Sequence, residues 1–393
     1  MNIGKALIVV VFVAAAAGIF FYARGGGATA GAASTAGGTS PGTDQTEIVF
    51  LYSTEKKEWV EACASAFKAQ EPGIKVTLQG QGSLDAAQAL LDAKAKPTLW
   101  SPADSSVLAL TDSDYRTRNG NTSLWAIGGA LAPQPLVLTP LVWVAWEDRA
   151  DVLQKSGGGV VNWKSIHSAV ASPQGWPAVG GKPDWGFVKL GHTDPTRSNS
   201  GVQALLLMTL EYYGKRRGLE VGDVLKPEYQ TFVKETEKGV TRFETSTGTF
   251  MTEMVLYGPS KYDIAVVYEN LAIAQVENAR GRWGNLKIYY PALTVWSDHP
   301  IVLIDQPWVT PAQQAAARKW VDFLRARPQQ ELALRFGFRP SDPTVPLKSA
   351  DPSNPFNRLA GNGVKVDLPP VADTPDGAVV RALLTMWSRL VAK

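Results

Sequence analysis

From residue 47 onward the sequence passes three times in succession from a short apolar run, through a polar loop, into a segment of helical periodicity. Residues 47–52 (EIVFLY) are β-rich and end at Ser53-Thr54, a pair suited to opening a helix. Across 55–70, Trp59, Ala62, Cys63, Ala66 and Phe67 fall on one face with lysine and glutamate opposite. That face makes Cys63 a buried structural thiol. Pro72-Gly73 turns the chain into a second strand at 74–78, followed by Gly80-Gln-Gly-Ser83 and a helix over 84–95. A third unit runs through 97–100 into Ser101-Pro-Ala-Asp104 and another helix. Three such units in a row demand a mostly parallel sheet with helices on its faces, an α/β fold.

The pattern continues. Residues 135–146 (PLVLTPLVWVAW) are too apolar for a loop and read as a long buried strand. A Gly-, Trp- and Pro-rich stretch over 156–185 holds a helical segment near 164–170, and 185–190 reads as a strand. A polar loop leads to an apolar helix over 201–213, and 263–268 is one more strand. Two strand-like runs lie within 288–304, an amphipathic helix pair within 311–336 and a closing helix over 378–391. The sequence contains no internal repeat.

Ahead of this lies an address. Residues 6–23 (ALIVVVFVAAAAGIFFYA) are uncharged and closed by Arg24. A signal-peptide core runs to about 15 residues and a spanning helix needs about 17 or more, so the length leans towards a retained membrane anchor. Ala28-Thr29-Ala30 offers the alternative, a cleavage site. Residues 1–24 are therefore a signal peptide or an N-terminal anchor, and 25–46 a flexible Gly/Ala/Ser/Thr linker. Both readings export the remainder to the extracytoplasmic side, periplasmic and inner-membrane-anchored or secreted. The net charge of +3 carries no basic tail outside the leader, which argues against nucleic acid as a partner. One cysteine excludes an internal disulfide and a multi-cysteine metal site.

Four polar loops stand at the carboxyl ends of expected parallel strands: Ser53-Thr54, Gln81-Gly82-Ser83, Asp194 to Ser200, and Tyr268-Glu269-Asn270. Open α/β sheets bind ligands in the crevice beyond those ends. Helix starts there offer free N–H groups and partial positive charge. Taken singly, each loop can be no more than a helix cap; four at equivalent positions point to a site. Arg197, beside Ser198, Asn199 and Ser200, suits an anionic group, although pairing with Asp194 would serve equally. Glu269 suits an ammonium group or a cation. Trp100 or Trp185 could wall a cleft. His192 and His299 neighbour acids but stand alone, as loop histidines without a metal role usually do. No hydrolase elbow, zinc motif, phosphate loop or dinucleotide fingerprint is present, so no catalytic residue and no cofactor is expected.

The opening strand with Ser53-Thr54, the Gly80-Gln-Gly-Ser83 segment, Ser101-Pro-Ala-Asp104 and the 135–146 strand occur in an order that resembles a known family. So do the Asp194 to Gly201 loop and the 263–268 strand. The most specific carrier is the run 317–330 (ARKWVDFLRARPQQ) leading to Phe336-Gly-Phe-Arg-Pro340. The chain is similar over about 47–345 to the extracellular solute-binding proteins of ABC importers, with the type II periplasmic-binding-protein fold, in the broad group that includes molybdate binders. The resemblance implies two α/β lobes, 47–146 plus 286–393 and 147–285, with ligand held between them. It places Ser53, Ser83 and the loop before Gly201 at the ligand and Tyr268 near the hinge. Glu269 departs from what an oxyanion binder would use.

The expected function is capture of a small polar ligand, an oxyanion or amino acid for example, and its presentation to an ABC permease, from a membrane-tethered position. The alternative is an envelope interaction or sensor protein that docks a protein partner with the same fold.

Overall fold

The computed structural model describes residues 45–128 and 132–391. The apolar run 6–23 and the linker up to residue 44 lie outside the described residues. Among the described residues no helix is long and apolar enough to cross a membrane.

Two sheets organise the chain. β1 (Thr46–Tyr52) passes through a 3-10 turn at Thr54–Lys56 into α1 (Lys57–Gln70), β2 (Ile74–Gly80) into α2 (Ser83–Leu91), and β3 (Leu99–Ser101) into α3 (Ser105–Arg118). β1 pairs in parallel with both β2 and β3. α2 ends at Leu91 rather than at residue 95 because Ala93 takes a left-handed φ of 54° that reverses the chain. β4 (Gln134–Pro135) is split from β5 (Val137–Trp146), and the two strands belong to different sheets. Next come α4 (Glu147–Ser156), α5 (Trp163–Ala171), β6 (Leu190–Gly191), α6 (Asn199–Tyr213), α7 (Val221–Leu225), α8 (Pro227–Thr236) and α9 (Thr247–Tyr257). β7 (Ile264–Tyr268) leads into α10 (Glu269–Val276). The run 288–304 yields three strands including its approach, β8 (Leu286–Tyr289), β9 (Trp296–Ser297) and β10 (Pro300–Leu303). α11 (Pro311–Arg325), α12 (Arg327–Arg335), β11 (Arg339–Pro340), α13 (Pro355–Arg358) and α14 (Gly377–Leu390) complete the chain.

The first sheet has the order β2-β1-β3-β10-β4, with β10 antiparallel to β3. The second runs β11-β5-β7-β6, with β8 and β9 also on β5. The strand expected at 185–190 shrinks to β6. Trp185 sits in a 3-10 turn, and Gly186, at φ 65°, turns the chain before it can join β7.

β5 explains why the second sheet has two cores. Alternate side chains of a strand face opposite ways: Leu141, Trp143 and Ala145 enter one core, while Val142, Val144 and Trp146 enter the other. A strand buried on both faces must be apolar throughout, as this one is. Pro140, which cannot donate to a ladder, lies opposite the two-residue strand β9. Cys63 is fully buried beside Phe67 and Trp320, and burial pushes its thiol up to about 12. The closing helix α14 buries Val379, Leu383 and Trp387 in the core shared with Leu205, Val224 and Tyr229. The same helix also reaches the first segment, where Arg381 pairs with Asp114 of α3 at 2.8 Å.

Candidate functional site

The carboxyl ends of the parallel strands in the two sheets meet. On the first sheet these ends carry Ser53 after β1, Gln81 to Ser83 after β2 and Ser101 to Asp104 after β3. Antiparallel β10 returns His299 to the same edge, where its N–H donates to the Ala103 carbonyl at 3.1 Å. On the second sheet β6 leads to Asp194 to Ser200, and β7 ends at Tyr268. Direct contacts join the two sets. Asn270 Nδ2 donates to the Glu55 carbonyl at 3.3 Å. Gln203 Nε2 donates to Asp104 Oδ2 at 2.9 Å. Arg197 Nη2 reaches Asp85 Oδ2 at 3.3 Å. The Tyr268 ring stands 6.3 Å from that of His299. A Cβ on Gly82 would lie 3.4 Å from the Arg197 carbonyl oxygen, an ordinary van der Waals contact, so the two loops approach closely there.

Four helix starts converge here without a side-chain cap: the turn after Ser53, α2 after Gly82, α6 after Ser198 and α9 after Ser246; at the start of α10 the Asn270 N–H donates to Thr139 Oγ1 at 3.2 Å. α3, by contrast, is capped by Asp104, which accepts from Ser106 N–H at 2.7 Å. The starts of α6 and α9 are tied by the Ser200 and Thr247 hydroxyls at 2.6 Å, with Thr193 Oγ1 2.7 Å from Ser200 Oγ. Gly201 is required for this. A Cβ there would stand 2.4 Å from the Thr193 carbonyl oxygen and 2.8 Å from Pro195 N.

At the floor lies a buried charged cluster. Lys56 Nζ donates to Ser53 Oγ, to the Ser101 carbonyl at 3.0 Å and to the Pro102 carbonyl at 3.1 Å. His299 Nδ1 lies 3.1 Å from the same ammonium and 3.3 Å from Glu55 Oε1. Burial pulls Lys56 down to about 8. Burial would raise Glu55, but the His299 hydrogen bond and the Lys56 charge outweigh it and hold the carboxyl at about 2. Burial and the Lys56 cation bring His299 down to about 4, so its imidazole is neutral at neutral pH. Burial and nearby Asp298 push Asp104 up to about 6. His299 adopts φ 41°, a left-handed conformation costly for a residue with a Cβ, and such strain collects at functional sites.

The structure brings together most of the loop residues picked out from sequence. Ser53, Thr54, Gln81, Gly82 and Ser83 line the first sheet's edge, with Ser83 Oγ accepting from Ala103 N–H at 3.0 Å. Ser198, Asn199 and Ser200 are buried at the start of α6, where Asn199 Nδ2 donates to Tyr268 OH at 3.0 Å. Asp194 is spent on its own loop, accepting from Thr196 N–H at 2.8 Å. Arg197 pairs with Asp85 across the junction, not with Asp194. Glu269 is the exception. Both its oxygens are taken by Arg339, at 2.7 and 2.8 Å, and Tyr290 OH donates to Oε1. It braces β11 against α10 and has no free oxygen to offer. Trp100 packs at a tilt against Trp125, and Trp185 lies against Trp176 and under the Arg149 guanidinium, so neither walls the junction. Sequence reasoning missed Glu55, Lys56 and Gln203, took Asn270 only as part of its strand-end loop, and set His299 aside. Only Glu55 and Lys56, directly after Ser53-Thr54, carried a local signal. Among the described residues no three His, Cys, Asp or Glu side chains are placed to hold a metal ion.

Comparison with known proteins agrees with this geometry. The sequence model of the family described as bacterial extracellular solute-binding protein matches residues 48–339. No curated protein matches the chain. Among solved structures, the sulfate-binding protein SubI from Mycobacterium tuberculosis H37Rv is similar at 17% identity, with a TM-score of 0.55, 88% of this chain and 97% of that one covered. The periplasmic binding protein AfuA from Actinobacillus pleuropneumoniae, bound to fructose-6-phosphate, is 12% identical with a TM-score of 0.56, covering 88% and 98%. The ferric binding protein from Campylobacter jejuni is 12% identical with a TM-score of 0.56, covering 87% and 99%. At these identities the likeness is one of fold.

Proposed function

The chain belongs to the bacterial extracellular solute-binding proteins, which bind small ligands for ABC-type importers, and from that premise we propose that it captures a small polar ligand bearing an anionic group at the junction of its two sheets and delivers it to such an importer. The observation that carries this is the convergence of four uncapped helix starts from both sheets. Each supplies N–H groups and the positive end of a helix dipole. Ser53, Thr54, Gln81, Gly82 and Ser83 contribute from one side, and Ser198, Asn199, Ser200 and Tyr268 from the other, with Arg197 at the rim. Asp194 shapes the loop, and Glu269 holds the frame.

The two sheets form two lobes, hinged where Leu136 joins β4 to β5 and where residues 298–299 join β9 to β10. A ligand touching both lobes favours the closed arrangement by its differential affinity for it. Residues 6–23 keep the binder at the extracytoplasmic face of the membrane, or direct its secretion if they are removed.

The test is thermal unfolding of the full chain against oxyanions, sugar phosphates, amino acids, neutral sugars and metal ions. A ligand at 100 times its Kd adds about 2.7 kcal/mol, a rise of a few degrees. Stabilisation by one anionic class, lost on Ser83→Ala with Arg197→Ala, is the expected result. Stabilisation by none, or only by uncharged sugars, would overturn the proposal.

A further inference from the structure

The loop after β3 grips the chain at one of the two points where it passes between the sheets. His299 N–H donates to the Ala103 carbonyl at 3.1 Å. Ser105 N–H donates to Asp298 Oδ1 at 2.8 Å, and the Ser105 hydroxyl donates to Asp298 Oδ2. Residues 298–299 therefore travel with residues 103–105. The other crossing is tied to the same place, since Leu136 N–H donates to the His299 carbonyl at 3.2 Å.

Gln203 of α6 travels with the opposite side. Its Nε2 donates to the Trp296 carbonyl at 3.0 Å, and its Oε1 accepts from Ser297 Oγ at 3.1 Å. Both partners lie on β9, which pairs with β5 in the second sheet. Nε2 also donates to Asp104 Oδ2 at 2.9 Å. Asp104 thus stands on one side of the 298–299 link and Gln203 on the other, and a turn of that backbone must stretch the bond between them. The bond is out of water, with Gln203 3% and Asp104 5% exposed. The Arg197–Asp85 pair crosses the same junction, but both side chains are largely solvated, where an ion pair contributes little. The pivot itself is strained. His299, at φ 41°, holds a conformation that persists only when its surroundings fix it.

We propose that the Asp104–Gln203 hydrogen bond is a latch across the hinge, which holds the two lobes together in the absence of ligand. This rests on the two-lobe reading and adds to it that part of the closing free energy is built into the protein. Apparent affinity falls by the fraction of molecules in the binding-competent state. Breaking the latch therefore weakens binding without removing a ligand contact.

Asp104→Asn breaks the latch alone. Asparagine keeps the cap of α3, because its Oδ1 can accept from Ser106 N–H as the carboxylate does at 2.7 Å. It then turns an amide nitrogen towards the amide nitrogen of Gln203. Gln203 cannot rotate to answer it, since its own oxygen would face the Trp296 carbonyl.

Single-molecule fluorescence energy transfer on the full chain tests this, with dyes at Gln88→Cys on α2 and Thr252→Cys on α9, two exposed positions on helices that start at the junction. The native Cys63 is buried and stays unlabelled. Without ligand, the distance is expected to lengthen in Asp104→Asn and in Gln203→Met. It should keep its wild-type value in Ser297→Ala, which takes a bond from the same glutamine within its own lobe. An unchanged distance in folded Asp104→Asn, or equal lengthening in Ser297→Ala, would overturn the latch. A Gly-Gly insertion between Asp298 and His299 frees the pivot whatever holds it. If only the insertion lengthens the distance, the lobes move but the latch is refuted; if neither change does so, the two-lobe hinge fails with it. Gln203→Met decides the matter if Asp104→Asn does not fold.

Discussion

Replacing Glu269 by glutamine separates a structural role from a ligand role at one position. In the wild type the carboxylate is fully buried, bound by two Arg339 nitrogens and the Tyr290 hydroxyl. Two of the guanidinium's three other protons go to the carbonyls of Lys365 and Val366 at 2.6 and 2.7 Å. Glutamine keeps the shape but removes the negative charge and turns one acceptor into a donor facing Arg339. Removing one partner of a buried pair costs about 3–5 kcal/mol, since the other charge stays buried uncompensated. An unfolding entropy of about 2.1 cal/mol/K per residue over roughly 350 residues makes each kcal/mol worth about 1.4 °C. Calorimetry should therefore show Tm lowered by about 4–7 °C. Arg339→Met added to Glu269→Leu should recover much of the loss, because an apolar pair replaces a stranded charge. Ligand affinity of the folded Glu269→Gln protein should be unchanged. An unaltered Tm together with lost binding would refute the reasoning and return Glu269 to the ligand.

Three further outcomes follow from the same structure. His192 donates from Nε2 to Glu237 at 2.8 Å and from Nδ1 to the Thr193 carbonyl at 2.9 Å; burial disfavours its charge, but Glu237 outweighs this and raises its pKa. A raised folded pKa stabilises fully below the unfolded value near 6.5, and the gain is lost as pH climbs through the folded value. The Tm advantage of wild type over His192→Gln should accordingly shrink from pH 6 upward, and a constant difference would refute the charged state. Gly201→Ala should cost about 1–3 kcal/mol and abolish ligand-induced stabilisation, because its methyl meets the Thr193 carbonyl and the first turn of α6 must move. Cys63 should resist thiol reagents in the native state and react only on unfolding, its thiol being held up at about 12 by burial; rapid native labelling would show that α1 opens.

Periodicity made the scaffold legible. Trp59, Cys63 and Phe67 recur at helical spacing on α1, and the unbroken apolar run of β5 is intelligible because a strand buried on both faces tolerates nothing else. The polar loops at strand ends also stood out, since Ser53, Ser83 and Asn199 each sit where a short apolar run gives way to a helix. The Phe336 to Pro340 segment was recognisable as a motif, but its purpose was not. Gly337, at φ 76°, brings the chain against Asn270 and Ile273, and Arg339 then meets Glu269, 70 residues away in sequence.

What local pattern could not disclose is which polar groups share a partner. Lys56 and His299 are separated by 243 positions, and they touch only because β10 inserts antiparallel beside β3 and carries His299 back to the edge where β1 ends. Glu269 resembled a ligand contact for as long as Arg339 was out of sight. The alternation of side chains along strands and helices is set by backbone geometry and so is written residue by residue. The charge state and hydrogen-bonding direction of Asn199, His299 and Glu269 depend on burial and on neighbours from distant segments, and these exist only once the two sheets have folded against one another.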